Sequence, residues 1–240
     1  MIVEDALPLK VVQGAWLDAE LSTHETCEWL NEPIPEAQLS ANTQRNKAQL
    51  EAVIGLANKY PEIIVAVNVG NEALVTWNDH LVSVDSMVAY LEQVAGAIEQ
   101  PVTTADNYVP WIEHAEVLGP AVDFAFIHTY PVWEGKDIDE GMPYTIDNMQ
   151  RVRAALPNEP LVIGEAGWVD QAEEFGDRAS PNKQARYVND LWAWGEANNI
   201  TVFMFEAFDE PWKGDPSRPL GAEKHWGLYT EDRQPKSVMR

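Results

Sequence analysis

The chain has one cysteine, Cys27, in 240 residues. A lone thiol excludes an internal disulfide framework and any multi-cysteine metal site. Basic residues are scarce: 16 Lys plus Arg face 39 Asp plus Glu, giving a formal charge of −23. So acidic a chain repels nucleic acid and anionic membrane surfaces, which argues against both as partners. No apolar run is long enough to span a bilayer, so no membrane insertion is expected. The opening MIVEDALPLK lacks the basic start, apolar middle and small-residue cleavage site of a signal peptide. On that reading the protein is cytosolic, or its export signal lies outside this chain. Glycine-rich phosphate loops and a nucleophile-elbow serine are missing, and no pair of the five histidines has zinc-ligand spacing. Asp137, Asp139 and Glu140 form a small acidic cluster without EF-hand spacing and read as a solvated loop. Neither a metal nor a cofactor is expected.

What is present is apolar and aromatic. Apolar residues make up 45%, enough for a buried core, and the length suits one domain covering 1–240. Ten residues are Trp. An indole is a flat apolar face carrying one N–H, which suits core packing and also suits a sugar ring. Trp192 and Trp194, in a helical stretch, read as core. Trp16, Trp133, Trp168 and Trp212 each closely follow a strand-like run and read as lining a cleft.

Six short apolar runs are spaced along the chain: 9–15, 63–69, 102–105, 122–127, 161–164 and 201–205. Their β-branched and aromatic content fits strands buried on both faces. Between them lie helical patterns. Leu50, Val53, Ile54 and Ala57 recur before Pro61, and Val84, Met87, Val88, Leu91, Val94 and Ile98 before Pro101. Ser180-Pro181 supplies a capping hydroxyl and an N1 proline ahead of Ala185, Val188, Leu191 and Trp192. Alternating strands and helices without hairpin signals predict βαβ units and a parallel sheet, the α/β class. The sequon Asn199-Ile200-Thr201 sits at the start of a strand expected to be buried.

Several strands end in carboxylates: Val69-Gly70-Asn71-Glu72, Ile163-Gly164-Glu165, and the run from Phe205 to Glu210. Parallel α/β folds carry their chemistry at such C-terminal strand ends. Glu72 and Glu165 each end an apolar run, and each has a glycine close before it. Cleaving a glycosidic bond needs two carboxyl groups with opposite duties: one holds a proton for the leaving oxygen, the other is ionised. The competing reading makes both glutamates buried ion-pair partners, yet no Lys or Arg lies close to either in sequence. Asn71 reads as an amide that fixes Glu72 or contacts a sugar. Tyr130 could hydrogen-bond a carboxylate, and His128 is a ligand contact or a satisfied core histidine.

These three motifs, with Ala166-Gly167-Trp168 after Glu165 and Pro211-Trp212-Lys213 after Glu210, resemble glycoside hydrolase family 17, its bacterial branch most closely. His225-Trp226-Gly227-Leu228 follows in the family's order. The resemblance implies a (β/α)8 TIM barrel that acts on β-1,3-glucan with a retaining mechanism. It implies Glu72 as acid/base, Glu165 as nucleophile and Tyr130 as its support. It further implies Asn71 on the sugar 2-hydroxyl, Glu210 and Lys213 on substrate hydroxyls, and Trp168 flanking the cleavage subsite. Trp133 is the remaining aromatic expected to touch substrate. Ala166 stands where the family usually has Thr.

By the family's order, the run 9–15 is the third strand. The chain is therefore expected to lack the first two βα units and to hold about three quarters of the barrel. An open edge at that strand would invite self-association. The resemblance implies a secreted or periplasmic enzyme, with the cytoplasm left open. Two further readings accompany β-1,3-glucan hydrolysis: β-1,3-glucanosyl transfer, and a non-catalytic glucan-binding remnant.

Overall fold

The computed structural model describes residues 9–240; the stretch read above as lacking a signal peptide falls mostly outside them. Six strands are present among the described residues: β1 (Val11–Ala15), β2 (Ile64–Asn71), β3 (Val102–Asn107), β4 (Ala125–His128), β5 (Leu161–Ala166) and β6 (Val202–Met204). Their hydrogen-bonded order follows the chain from β1 to β6, and the β1–β2, β2–β3 and β5–β6 ladders are parallel. Each apolar run of the sequence became a strand. Between them stand α1 (Glu36–Lys59), α2 (Val84–Ala95), the short α3 (Tyr108–Glu113) and α4 (Ala115–Leu118), α5 (Ile138–Ala155) and α6 (Pro181–Asn198). Parallel strands joined by helices in sequential order are the plan of a (β/α) barrel, here with six strands described where the full plan has eight.

The chain divides into two compact units. The first runs to Phe126 and includes Ala155–Pro160. Its core takes Leu50, Val53 and Ala57 from α1, Val67 and Val69 from β2, and Met87, Leu91 and Val94 from α2. The first half of α1 buries amides instead: Asn42 Nδ2 donates to Ala19 O at 2.7 Å, and Asp18 N donates to Asn46 Oδ1 at 2.8 Å. These bonds tie the loop after β1 to the helix, and they explain why apolar periodicity marks only the second half of α1.

The second unit comprises Ile127–Ala154 and Leu161–Arg240. Ser180 caps α6 through its hydroxyl, which accepts from Lys183 N. Asp139 and Glu140, read as a loop, lie in the first turn of α5. That helix shows little apolar periodicity because its buried face is Gly141, Thr145, Asn148, Met149 and Val152, with only two large apolar side chains. Thr145 and Tyr187 share a hydrogen bond at 2.7 Å, and Asn148 Nδ2 donates to Thr129 Oγ1 at 3.1 Å. The C-terminal segment is pinned by Lys236. Its side chain is 8% exposed, and its ammonium lies 2.7 Å from Asp209 and 3.0 Å from Asp170.

Candidate active site

In the first unit, the end of β2 is bent to present Glu72. Asn68 pairs with Thr103 and Asn71 with Ala105, so β2 spends three steps where β3 spends two. Such an irregularity re-aims the side chains around it. Gly70 absorbs the bend at φ 77°, and a Cβ there would lie 2.9 Å from Met87 Cε and 3.1 Å from Leu17 Cδ1. Only glycine meets both demands. Glu72 itself sits at φ 48°. Its amide donates to Ala105 O at 2.8 Å, and Asn78 Nδ2 donates to its Oε2 and its carbonyl, both at 3.2 Å. Asn78 went unnoticed in the sequence, where an Asn in a polar loop carries no distinguishing signal. The Asn71 carbonyl lies 2.8 Å from His80 Nε2, and the His80 ring packs tilted against Trp16 at 4.6 Å.

In the second unit, β5 repeats the device. Ile163 pairs with Val202 and Ala166 with Met204, again three steps against two, with Gly164-Glu165 inside the irregular stretch. The Glu165 side chain is 26% exposed. Tyr130 O–H donates to its Oε2 at 2.7 Å, and His128 Nδ1 lies 3.5 Å from the same oxygen. His128 is almost wholly buried, so it sits beneath the carboxylate rather than in the path of a ligand. Tyr130 is braced edge-on by Phe205 at 5.7 Å and Trp226 at 5.2 Å. Trp133 keeps 45% of its surface exposed while its ring packs edge-on against Phe175 at 4.6 Å. Trp226 lies stacked 6.4 Å from it, and the exposed remainder of the indole is available to a flat apolar surface.

Trp168 differs from the sequence expectation. It is fully buried, tilts against Tyr187 at 5.2 Å, and donates its N–H to Arg178 O at 2.9 Å. A ring so enclosed offers no face to a sugar. Trp192, read as core, is instead 58% exposed. Asn199 of the sequon is also exposed: it closes α6 in the left-handed region at φ 54° rather than entering a buried strand.

Glu210 and Lys213, expected on substrate hydroxyls, are bound to each other and to Glu206. Lys213 Nζ lies 2.6 Å from Glu210 and 3.1 Å from Glu206. Burial raises the Glu206 carboxyl to about 7 against the pull of Lys213, with Glu210 adding to the rise. Burial alone would lower Lys213, but its two carboxylate partners leave it raised. Glu206 belongs to the acidic run after β6; only the fold distinguishes it, by enclosing it beside Glu210 and Lys213.

A pH dependence follows. The folded pKa of Glu206 exceeds its unfolded value of 4.5, so the folded state holds the extra proton between those values. The stability this contributes is complete below the unfolded pKa and is lost as pH rises through about 7. Glu206→Gln keeps the shape without the titration. The melting temperature of the native protein relative to this variant is expected to fall steadily from acid to neutral pH. Parallel melting profiles in circular dichroism would contradict the assignment.

The model of the BtgE/BtgC glycoside hydrolase domain matches residues 34–227. The chain belongs to that family. This accords with the family 17 likeness read from the motifs. The family 17 domain is 28% identical to a glucan 1,3-beta-glucosidase of Arthroderma benhamiae, over 95% of this chain and 70% of that protein. Other glucan 1,3-beta-glucosidases are spanned over 55% and 46% of their own length. Among solved structures, an endo-laminarinase from Formosa Hel1_33_131 superposes with a TM-score of 0.82 at 26% identity, covering 99% of this chain and 70% of that one. A family 17 β-1,3-glucanosyltransferase from Rhizomucor miehei gives 0.76 at 25% identity, covering 98% and 77%.

Proposed function

We propose that this family 17 domain cleaves β-1,3-glucan through a covalent glucosyl-enzyme, with net retention. The observation that carries the reading is the setting of Glu165. It stands at the C-terminal end of a parallel strand, and a single phenol holds one of its oxygens. That bond fixes the orientation of the carboxylate, as an attacking group requires. Glu165 attacks the anomeric carbon, and the leaving glycosidic oxygen takes its proton from Glu72. Water, activated by the same Glu72, then releases the sugar from Glu165. Trp133 supplies a stacking face, and Asn71 contacts substrate hydroxyls. Lys213 and Glu210 reach substrate hydroxyls only in exchange for their present ion pair. The substrate class is supported by relatives named glucan 1,3-beta-glucosidase and by an endo-laminarinase neighbour. Release of the same intermediate by a sugar hydroxyl is the second reading, supported by the glucanosyltransferase neighbour.

Incubation with laminarin is expected to yield shorter products that carry the β configuration when first formed, as read by proton NMR. Products longer than the substrate would favour transfer. Glu72→Ala should cripple natural glucan by roughly 10²–10⁴-fold while sparing aryl glucosides whose leaving group needs no proton. Equal losses on both would remove Glu72 from the acid role.

The end of the strand order at β1 supports a further reading. Among the described residues β1 is paired as a strand with β2 alone. We infer that this edge self-associates. Sedimentation velocity is expected to show a dimer that Val12→Lys disperses, since a charge blunts an edge strand. A monomer at every concentration would overturn it.

A further inference from the structure

A cavity of about 330 Å³ opens in the second unit where α6 ends and β6 begins. It is framed by Trp192, Glu196, Asn199, Thr201 and Val202. It lies beside the N-terminal end of β6, whereas Glu165 lies toward the C-terminal end of the neighbouring β5. In barrel folds that N-terminal side takes no part in the chemistry, so this is not a piece of the site already described.

Two observations mark it as a binding site. The first is Trp192, 58% exposed, a large flat apolar surface that gains little by facing water. The second is its polar frame. Among the described residues, the Trp192 N–H, the Glu196 carboxylate, the Asn199 amide and the Thr201 hydroxyl make no hydrogen bond within the protein. Around one indole face the fold thus gathers two acceptor–donor groups, one acceptor and one donor. A lipid or apolar peptide would leave these groups without partners. An anionic ligand would meet Glu196 and a chain of formal charge −23. A neutral pyranose satisfies all of them: its C–H face rests on the indole, and its equatorial hydroxyls donate to Glu196 and exchange bonds with Asn199 and Thr201. The volume is at the small end for ligand sites and holds roughly one or two sugar rings.

We propose that this cavity is a second carbohydrate-binding site, which holds a neutral β-glucan chain against Trp192. The choice of β-1,3-glucan as the chain rests on the hydrolytic reading above. Such a site retains polymer at the surface without touching the bond that is cut. It should therefore matter for polymers and not for short oligosaccharides.

The test compares native protein with Trp192→Ala and Trp192→Phe. Three quantities are measured: binding to insoluble β-1,3-glucan by depletion, kcat/KM on laminaritetraose, and the melting temperature. Trp192→Ala is expected to weaken polymer binding roughly tenfold. Its turnover of laminaritetraose and its melting temperature should match the native values. Trp192→Phe should recover part of the binding, because a smaller aromatic face remains. Native-like polymer binding by Trp192→Ala overturns the proposal. So does a changed melting temperature or association state with binding intact, which would make Trp192 a protein contact. If the native protein neither binds nor cleaves β-1,3-glucan, the hydrolytic reading fails, and this proposal fails with it. If it cleaves laminaritetraose while Trp192→Ala still holds polymer normally, this proposal alone fails.

Discussion

Replacing Glu165 by glycine is expected to abolish hydrolysis of β-1,3-glucan, by about 10⁴-fold or more. On the proposed mechanism the variant removes the group that forms the glucosyl ester, while Tyr130, whose phenol holds that carboxylate at 2.7 Å, is left in place. The vacated space accommodates a small anion. Azide should therefore attack an activated aryl β-glucoside from the side Glu165 occupied, expelling the phenolate and giving the α-glucosyl azide. That inverted product identifies the nucleophile. A β-glucosyl azide would instead mark Glu165 as the acid/base, and undiminished hydrolysis would remove it from the chemistry.

The second large effect is on the scaffold beneath the same strand. A Cβ built on Gly167 lies 2.1 Å from the Phe205 carbonyl oxygen and 3.3 Å from Trp226 Cε3. The oxygen belongs to backbone, and Phe205 N is itself held by Ala166 O at 2.9 Å, so neither side can yield without breaking that bond. Gly167→Ala is expected to cost at least about 3 kcal/mol, since overpacking against backbone exceeds the usual methylene penalty. For a chain of this size the melting temperature should drop by roughly 6–12 °C. Activity should fall as well, because Glu165 is two residues away. Gly55→Ala is the control. It lies within α1 with nothing within 4 Å of an added Cβ, and it should raise stability by roughly 0.5–1 kcal/mol. Equal melting temperatures for the two variants would refute the packing argument.

Much of this molecule is written locally. The six apolar runs became the six strands because β-branched and aromatic residues in short stretches have few other uses in a buried sheet. The helices α2 and α6 were visible because their inner faces are apolar at helical spacing. The outer reaches of α1 and most of α5 were not, since Asn42, Asn46, Thr145 and Asn148 turn inward, the first two onto backbone at residues 18–19 and the last two onto the hydroxyls of Tyr187 and Thr129. A pattern of apolar residues cannot reveal a buried face made of amides and hydroxyls. Glycine ahead of Glu72 and Glu165 was legible too, although its reason was not. It serves an irregular step in each parallel ladder, which exists only once the neighbouring strand is in place.

The sequence by itself determined the order of the strands, the inner faces of α2 and α6, the acidic ends of the strands and the kinship carried by their motifs, because each of these resides in residues close together in the chain. Only the tertiary structure decided which tryptophans face water and that Glu206 shares Lys213 with Glu210. Those outcomes depend on what packs against a side chain from residues distant in sequence. Trp168 and Trp192 show the consequence: both are indoles in the same chain, and one is sealed by Tyr187 and the core while the other is left on an open helix end.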